Sequence, residues 1–164
     1  MRFPQSLFIK LTWRLRVSSD SYEIQSLLYE YAFHLDSGDL QEMANMFAHA
    51  KFVAGDGSGV EISGVENILK LYKEHTRIYS DDGTPHTQHV TTNAIVKVEP
   101  DGVHAECKSY AIVFQSADDF PIQPIIGVQY FDKFEKADGV WRFSERKIVS
   151  RLFGDLSKHL LKSI

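Results

Sequence analysis

An aspartate and a histidine held together make an acid/base unit: the carboxylate orients the imidazole and the imidazole moves the proton. Asp36 and His89 are candidates of those two residue types, each on the strength of its own position. Asp36 falls where a helical run ends, one turn and a half beyond Tyr31. The helix macrodipole puts partial negative charge at that end, so a carboxylate there gains no electrostatic support and is suited to trading a proton. The plainer reading of Asp36 is a turn residue bonding the backbone at Ser37 or Gly38. His89 opens a strand-like stretch in which His89, Thr91, Asn93 and Ile95 share one face, and Val90, Thr92, Ala94 and Val96 the other. Successive polar residues on one face suit a solvated surface or the mouth of a pocket, and a hydrogen-bonded surface histidine is the alternative.

Other chemistries lack their residue sets. His86 and His89 have the spacing of a metal pair, but no neighbouring cysteine or carboxylate completes a recognisable zinc set, so no metal is expected. Gly55-Asp56-Gly57-Ser58-Gly59 is glycine-rich without the Lys-Ser/Thr ending of a phosphate loop. Cys107 lies in a strand and not at a helix N-terminus, and no nucleophile elbow occurs. No cofactor is called for.

The elements that must position Asp36 and His89 follow from periodicity. Asp20 with Glu23 reads as a capping box, after which Ile24, Leu27, Leu28, Tyr31, Ala32 and Leu35 form one apolar helix face, with Gly38 just past the end. Asp39 with Glu42 opens a second helix and Ser63 with Glu66 a third. Residues 51–54 and 60–62 read as short strands. Residues 88–98, 103–115, 125–135 and 140–152 read as long strands, joined by turns at Pro100-Asp101-Gly102 and Ala137-Asp138-Gly139 and by a longer loop over residues 116–124. Helices first and an antiparallel meander afterwards predict an α+β fold, with three N-terminal helices packed on one face of a sheet.

Composition sets the outer bounds. The 164 residues fit one domain, with 43% apolar and 24% charged residues, the balance of a globular protein. A net charge of −4 gives no basic surface for a nucleic acid. One cysteine excludes an internal disulfide and fits a reducing, cytoplasmic compartment. No stretch approaches the ~20 apolar residues of a membrane span. Residues 1–19 mix apolar residues with Arg2, Lys10, Arg14 and Arg16, which breaks any secretory signal and reads as an N-terminal arm, mobile or peripheral, ahead of a domain over residues 20–164.

Several phrases in this order resemble the NTF2-like superfamily, in its SnoaL-like branch. They are Tyr31 to Asp39, Met46-Phe47-Ala48, Ser63 to Ile68, His89-Val90-Thr91-Thr92-Asn93 and Gly139-Val140-Trp141-Arg142-Phe143. The resemblance implies a curved sheet wrapped around a long helix, a deep hydrophobic pocket at the wide end, and a homodimer formed through the open sheet face. In the scytalone dehydratase, polyketide cyclase and bile-acid dehydratase relatives, residues similar to Asp36, His89 and Tyr31 serve as orienting acid, proton carrier and carbonyl donor, with the first two roles open to exchange.

On that resemblance the chain is expected to be a cofactor-independent lyase or isomerase of dehydratase or cyclase type. Its substrate is a hydrophobic, carbonyl-bearing small molecule, with Asn93, Tyr110 and Arg146 as further substrate contacts. The sequence departs from the pattern on the strand over residues 103–115, which carries no histidine or carboxylate after Glu106 to protonate a leaving group. The competing expectations are a non-catalytic small-molecule-binding or accessory dimer and, behind it, the β-subunit of a ring-hydroxylating dioxygenase.

Overall fold

The computed structural model describes residues 5–162, with side chains described from residue 19 onward. Helix α1 (Gln5–Asp36) comes first, then α2 (Leu40–Asn45), β1 (Lys51–Ala54), β2 (Glu61–Ser63) and α3 (Val65–His75). The long strands β3 (Thr87–Val98), β4 (His104–Ala117), β5 (Phe120–Ala137) and β6 (Val140–Phe153) complete the chain. They form one six-stranded sheet in the order β2-β1-β6-β5-β4-β3, antiparallel except where β1 runs parallel to β6. The helices gather on one sheet face, the expected α+β arrangement, and among the described residues no helix is long and apolar enough to cross a membrane.

The expected start of the first helix at Asp20 is not where it starts. With no glycine or proline from Gln5 to Asp36, nothing interrupts propagation once a turn has formed, so α1 runs through residue 20. Residues 5–19 of the expected arm belong to this helix, and residues 1–4 lie outside the described ones. Asp20 works as a tether instead of a cap: its carboxylate accepts from Lys136 Nζ on β5 and from Trp141 Nε1 on β6 at 3.0 Å. The apolar stripe follows the predicted spacing, and Ile24, Leu28, Tyr31 and Leu35 are buried against the sheet. Each such aliphatic side chain contributes about 1.5–3 kcal/mol on burial. Phe47, Phe134 and Phe143 fill the space beneath, with Phe47 stacked on Phe143 at 4.6 Å.

The other two caps divide. Asp39 caps α2 as expected, its side chain accepting the Glu42 N–H. Ser63 does not cap α3, because Gly64 takes the cap position at φ 87° and Ser63 ends β2. The loop expected over residues 116–124 is shorter than predicted, since β5 begins at Phe120 and leaves a tight turn with Asp119 at φ 57°.

Candidate active site

Asp36 is the last residue of α1, and its position is fixed by how that helix stops. Gly38 at φ 73° lets its N–H donate to Leu35 at 3.0 Å and the Asp39 N–H to His34 at 2.8 Å, the paired closing bonds of a Schellman end. A Cβ at position 38 would lie 2.1 Å from the Gly83 carbonyl oxygen, so only glycine lets the helix end seat against the loop before β3. That loop delivers β3 alongside the carboxylate. The Asp36 Oδ1 atom accepts from Thr87 Oγ1 at 2.8 Å and contacts His89 Nδ1 at 2.6 Å, while Oδ2 accepts the His89 backbone N–H at 2.7 Å.

Three bonds from one strand therefore fix both oxygens of Asp36. An ionised carboxylate accepts only, so the imidazole donates from Nδ1, and in its neutral form its lone pair is on Nε2. Among the described residues Nε2 has no hydrogen-bond partner. The pair is partly sheltered, with side-chain exposures of 10% for His89 and 19% for Asp36. It borders an open cleft of about 300 Å³ lined by Tyr29, Ala32, Phe33, Gln88, Val90 and Thr91. Larger clefts of about 830 and 870 Å³ lie at the C-terminal segment and around the turn between β3 and β4; Asp101 borders the second and contacts His104 Nδ1 at 2.7 Å, but that pair is exposed on the turn, at 49% and 61%.

The structure separates the remaining sequence candidates from this pair. Tyr31 is buried more than a turn deeper on α1, where its hydroxyl is shared with the Tyr72 hydroxyl at 2.7 Å. Burial pushes its pKa up, with Arg146 opposing. Asn93 was expected on the face of His89, but a bulge between Thr92 and Ile95 inserts one residue into β3 and gives Asn93 a φ of 55°. Beyond it the alternation changes phase, so Ala94, Val96 and Val98 pack on the core while Ile95 is 70% exposed. Tyr110 points from the opposite sheet face and is 48% exposed.

Arg146 is fully buried and committed elsewhere. Its Nε and Nη2 donate to the two oxygens of Asp132, each at 2.8 Å, and its guanidinium lies over the rings of Tyr31 at 4.0 Å and Tyr130 at 4.4 Å. Burial alone would disfavour the Arg146 charge, but Asp132 outweighs it and holds the guanidinium protonated. Burial likewise pushes the Asp132 pKa up, with Arg146 restraining the shift.

Among the described residues, the ligand atoms gathered closely enough for a metal ion do not include those of the pair. His86 turns away from His89 to contact Asp81 Oδ1 at 3.1 Å and stack on Tyr79 at 4.1 Å. Asp81, Asp82 and His86 gather ligand atoms within 4.8 Å, but both carboxylates are exposed on the loop. Sequence reasoning missed Thr87, whose strand position two residues before His89 was the available signal. It also missed Asp132, which the turn at Asp138-Gly139 alone would set opposite Glu145. A bulge between Lys133 and Phe134 shifts it onto Arg146.

The model of the SnoaL-like domain matches residues 16–147, from within α1 through most of β6. The chain belongs to the SnoaL-like domain family. Solved structures carry the same fold at low identity. An NTF2-like protein with a cystatin-like fold from Novosphingobium aromaticivorans is 20% identical, at a TM-score of 0.68, over 84% of this SnoaL-like chain and 86% of that one. A protein provisionally named scytalone dehydratase from the same organism is 20% identical, at 0.66, over 85% and 89%. LinA is 20% identical, at 0.66, over 88% and 94%. A search of curated protein sequences gives no significant match.

Proposed function

We propose that this SnoaL-like chain is a cofactor-independent lyase or isomerase of the dehydratase and cyclase type, acting on a hydrophobic substrate that carries a carbonyl group. The observation that carries the reading is the Asp36–His89 pair, bonded at 2.6 Å beside an open cleft. A base must lie within ~2.6–3.2 Å of its orienting partner and keep a lone pair for substrate, and His89 Nε2 meets the second condition. His89 takes a proton from the carbon next to the carbonyl, and Asp36 holds the imidazole in the correct tautomer and offsets the charge that develops on it. Loss of a β-hydroxyl as water, or movement of the double bond, completes the reaction. Tyr31 is not given the oxyanion role, because its hydroxyl is taken by Tyr72. The family match and the likeness to a protein named scytalone dehydratase support the reaction class.

The outer sheet face supports a homodimer. Strand register aligns Val90 with Ile112, Gly127 and Leu152 in one row, and Thr92 with Tyr110, Gln129 and Val149 in the next. Val90, Ile112, Leu152 and Tyr110 are all exposed there, an apolar strip that a second copy would cover. Sedimentation is expected to give twice the chain mass, and Ile112→Asp to give a monomer.

The activity is tested with 4-hydroxy-4-phenylbutan-2-one, whose loss of water gives a conjugated enone followed by ultraviolet absorbance. Wild-type protein is expected to accelerate that loss, and His89→Ala to lower the rate about 10²–10⁴-fold while keeping its circular dichroism. Full activity in His89→Ala would remove His89 from the mechanism.

A further inference from the structure

The segment after β6 folds back onto the end of the sheet that holds Asp36 and His89. Lys158 is its anchor: the Lys158 carbonyl accepts from Tyr79 Oη at 2.7 Å and from Gln115 Nε2 at 3.2 Å. The next carbonyl, of His159, accepts the Arg77 N–H at 2.8 Å, and Leu160 bridges Thr76. Gln115 is itself buried and sits opposite Thr87 in the sheet, and Thr87 is the residue whose hydroxyl holds Asp36. The fastening therefore sets His159 at the end of the sheet that carries Thr87.

The His159 imidazole lies within electrostatic reach of both His89 and Asp36. Its Nδ1 is buried, and among the described residues it has no hydrogen-bond partner. Buried polar side-chain atoms are normally paired, so an unpaired one beside an acid/base pair points to a ligand atom. Strand β4, meanwhile, offers the site no histidine or carboxylate on its inner face: Ser109 and Cys107 are buried there, and the Ser109 hydroxyl has no partner among the described residues.

We propose that His159 Nδ1 is the contact for the substrate hydroxyl that leaves as water, an assignment that rests on the dehydratase reading of Asp36 and His89. In this step His89 Nε2 takes the C–H proton next to the carbonyl, and the released electron pair passes through the enolate. That pair then forms the new C=C bond as the C–O bond breaks. The departing oxygen receives the proton from the His89 imidazolium, while the hydrogen it already carries stays on it and hydrogen-bonds to His159 Nδ1. Water leaves, and both imidazoles end neutral. Burial first, and then the neighbouring His89, push the His159 pKa down to about 4, with Asp36 opposing. His159 therefore adds no second positive charge when His89 becomes an imidazolium.

Two probes separate this role from the rest of the mechanism. Exchange of the α-hydrogens of 4-phenylbutan-2-one in D2O needs only the base, whereas dehydration of 4-hydroxy-4-phenylbutan-2-one needs the leaving group as well. His159→Leu is expected to slow dehydration roughly 10–100-fold, with exchange held within about twofold. His159→Asn, which keeps a polar atom near the Nδ1 position, is expected to restore most of the loss. Equal losses in both reactions, or no loss in either, would overturn the assignment. If wild type catalyses neither reaction, the dehydratase reading fails by itself. The His159 contact is then decided by the 15N resonance of its Nδ1 on addition of the hydroxy ketone: movement supports the contact and constancy overturns it.

Discussion

Asp132 and Asp36 each hold a cationic or ionisable partner through short bonds, yet the two pairs lie at opposite depths. Asp132 meets Arg146 through two bonds of 2.8 Å with no side-chain exposure on either partner, and aromatic rings cover the guanidinium. Asp36 spends its oxygens on Thr87 and His89, at the margin of an open cleft. The arginine keeps its proton, and no part of its side chain is exposed to solvent. The histidine is a side chain that can take up and release a proton, and it retains an uncommitted nitrogen. Depth and partner together turn one motif into a structural clamp and the other into a candidate proton-transfer pair.

That contrast can be broken from either side. Asp36→Asn keeps the size of the side chain but removes the charge that holds the imidazole tautomer. It is expected to lower the dehydration rate about 10²–10⁴-fold, or ~3–5 kcal/mol on the barrier, with little change in the urea midpoint. Asp132→Ala should do the reverse. An uncompensated buried guanidinium costs about 3–5 kcal/mol of stability, readable as a lower urea midpoint. A large activity loss with full stability in Asp132→Ala would erase the distinction between the two pairs.

A smaller effect sharpens it. His159 is neutral in the folded protein down to about pH 4 but protonates near 6.5 when unfolded. The folded state therefore binds fewer protons between those values. Its stability is complete above about pH 6.5 and falls as pH is lowered towards 4, by about 1–3 kcal/mol after allowance for partial exposure. The loss should be visible in urea midpoints at pH 7 and 4.5, and smaller in His159→Leu. Smaller still, Cys107 has its thiol pKa pushed up to about 12 by burial and then by Asp132. Alkylation of the native protein at pH 8 is therefore expected to be negligible and to become rapid in urea.

Much of this arrangement was legible in local spacing. The apolar stripe from Ile24 to Leu35, the Asp39 cap and the Asp138-Gly139 turn are short-range signals, and each is realised. The closeness of Asp36 to His89 was an inference from family phrases, since no periodicity links the end of a helix to a strand so far along the chain. What stayed hidden depends on bulges and long-range folding back. One inserted residue at Asn93 moved that side chain off the face of His89, and another, Ser144 on β6 facing the Lys133/Phe134 step, placed Asp132 opposite Arg146. Asp20 carries the signature of a cap but lies inside a helix, because a cap needs a chain that is not already helical before it. His159 sits in a segment with no regular period, and only the bonds from Tyr79, Gln115 and Arg77 bring it to the site.

The central claim is that His89, held by Asp36, removes a proton from carbon next to a carbonyl. Deuterium uptake at the α-carbons of 4-phenylbutan-2-one in D2O, followed by proton NMR with wild-type protein and with folded His89→Ala, reads that step alone. Uptake well above the buffer rate with wild type, falling to the buffer rate in His89→Ala, is the predicted result. Equal uptake by both proteins, or none above buffer with wild type, would contradict it.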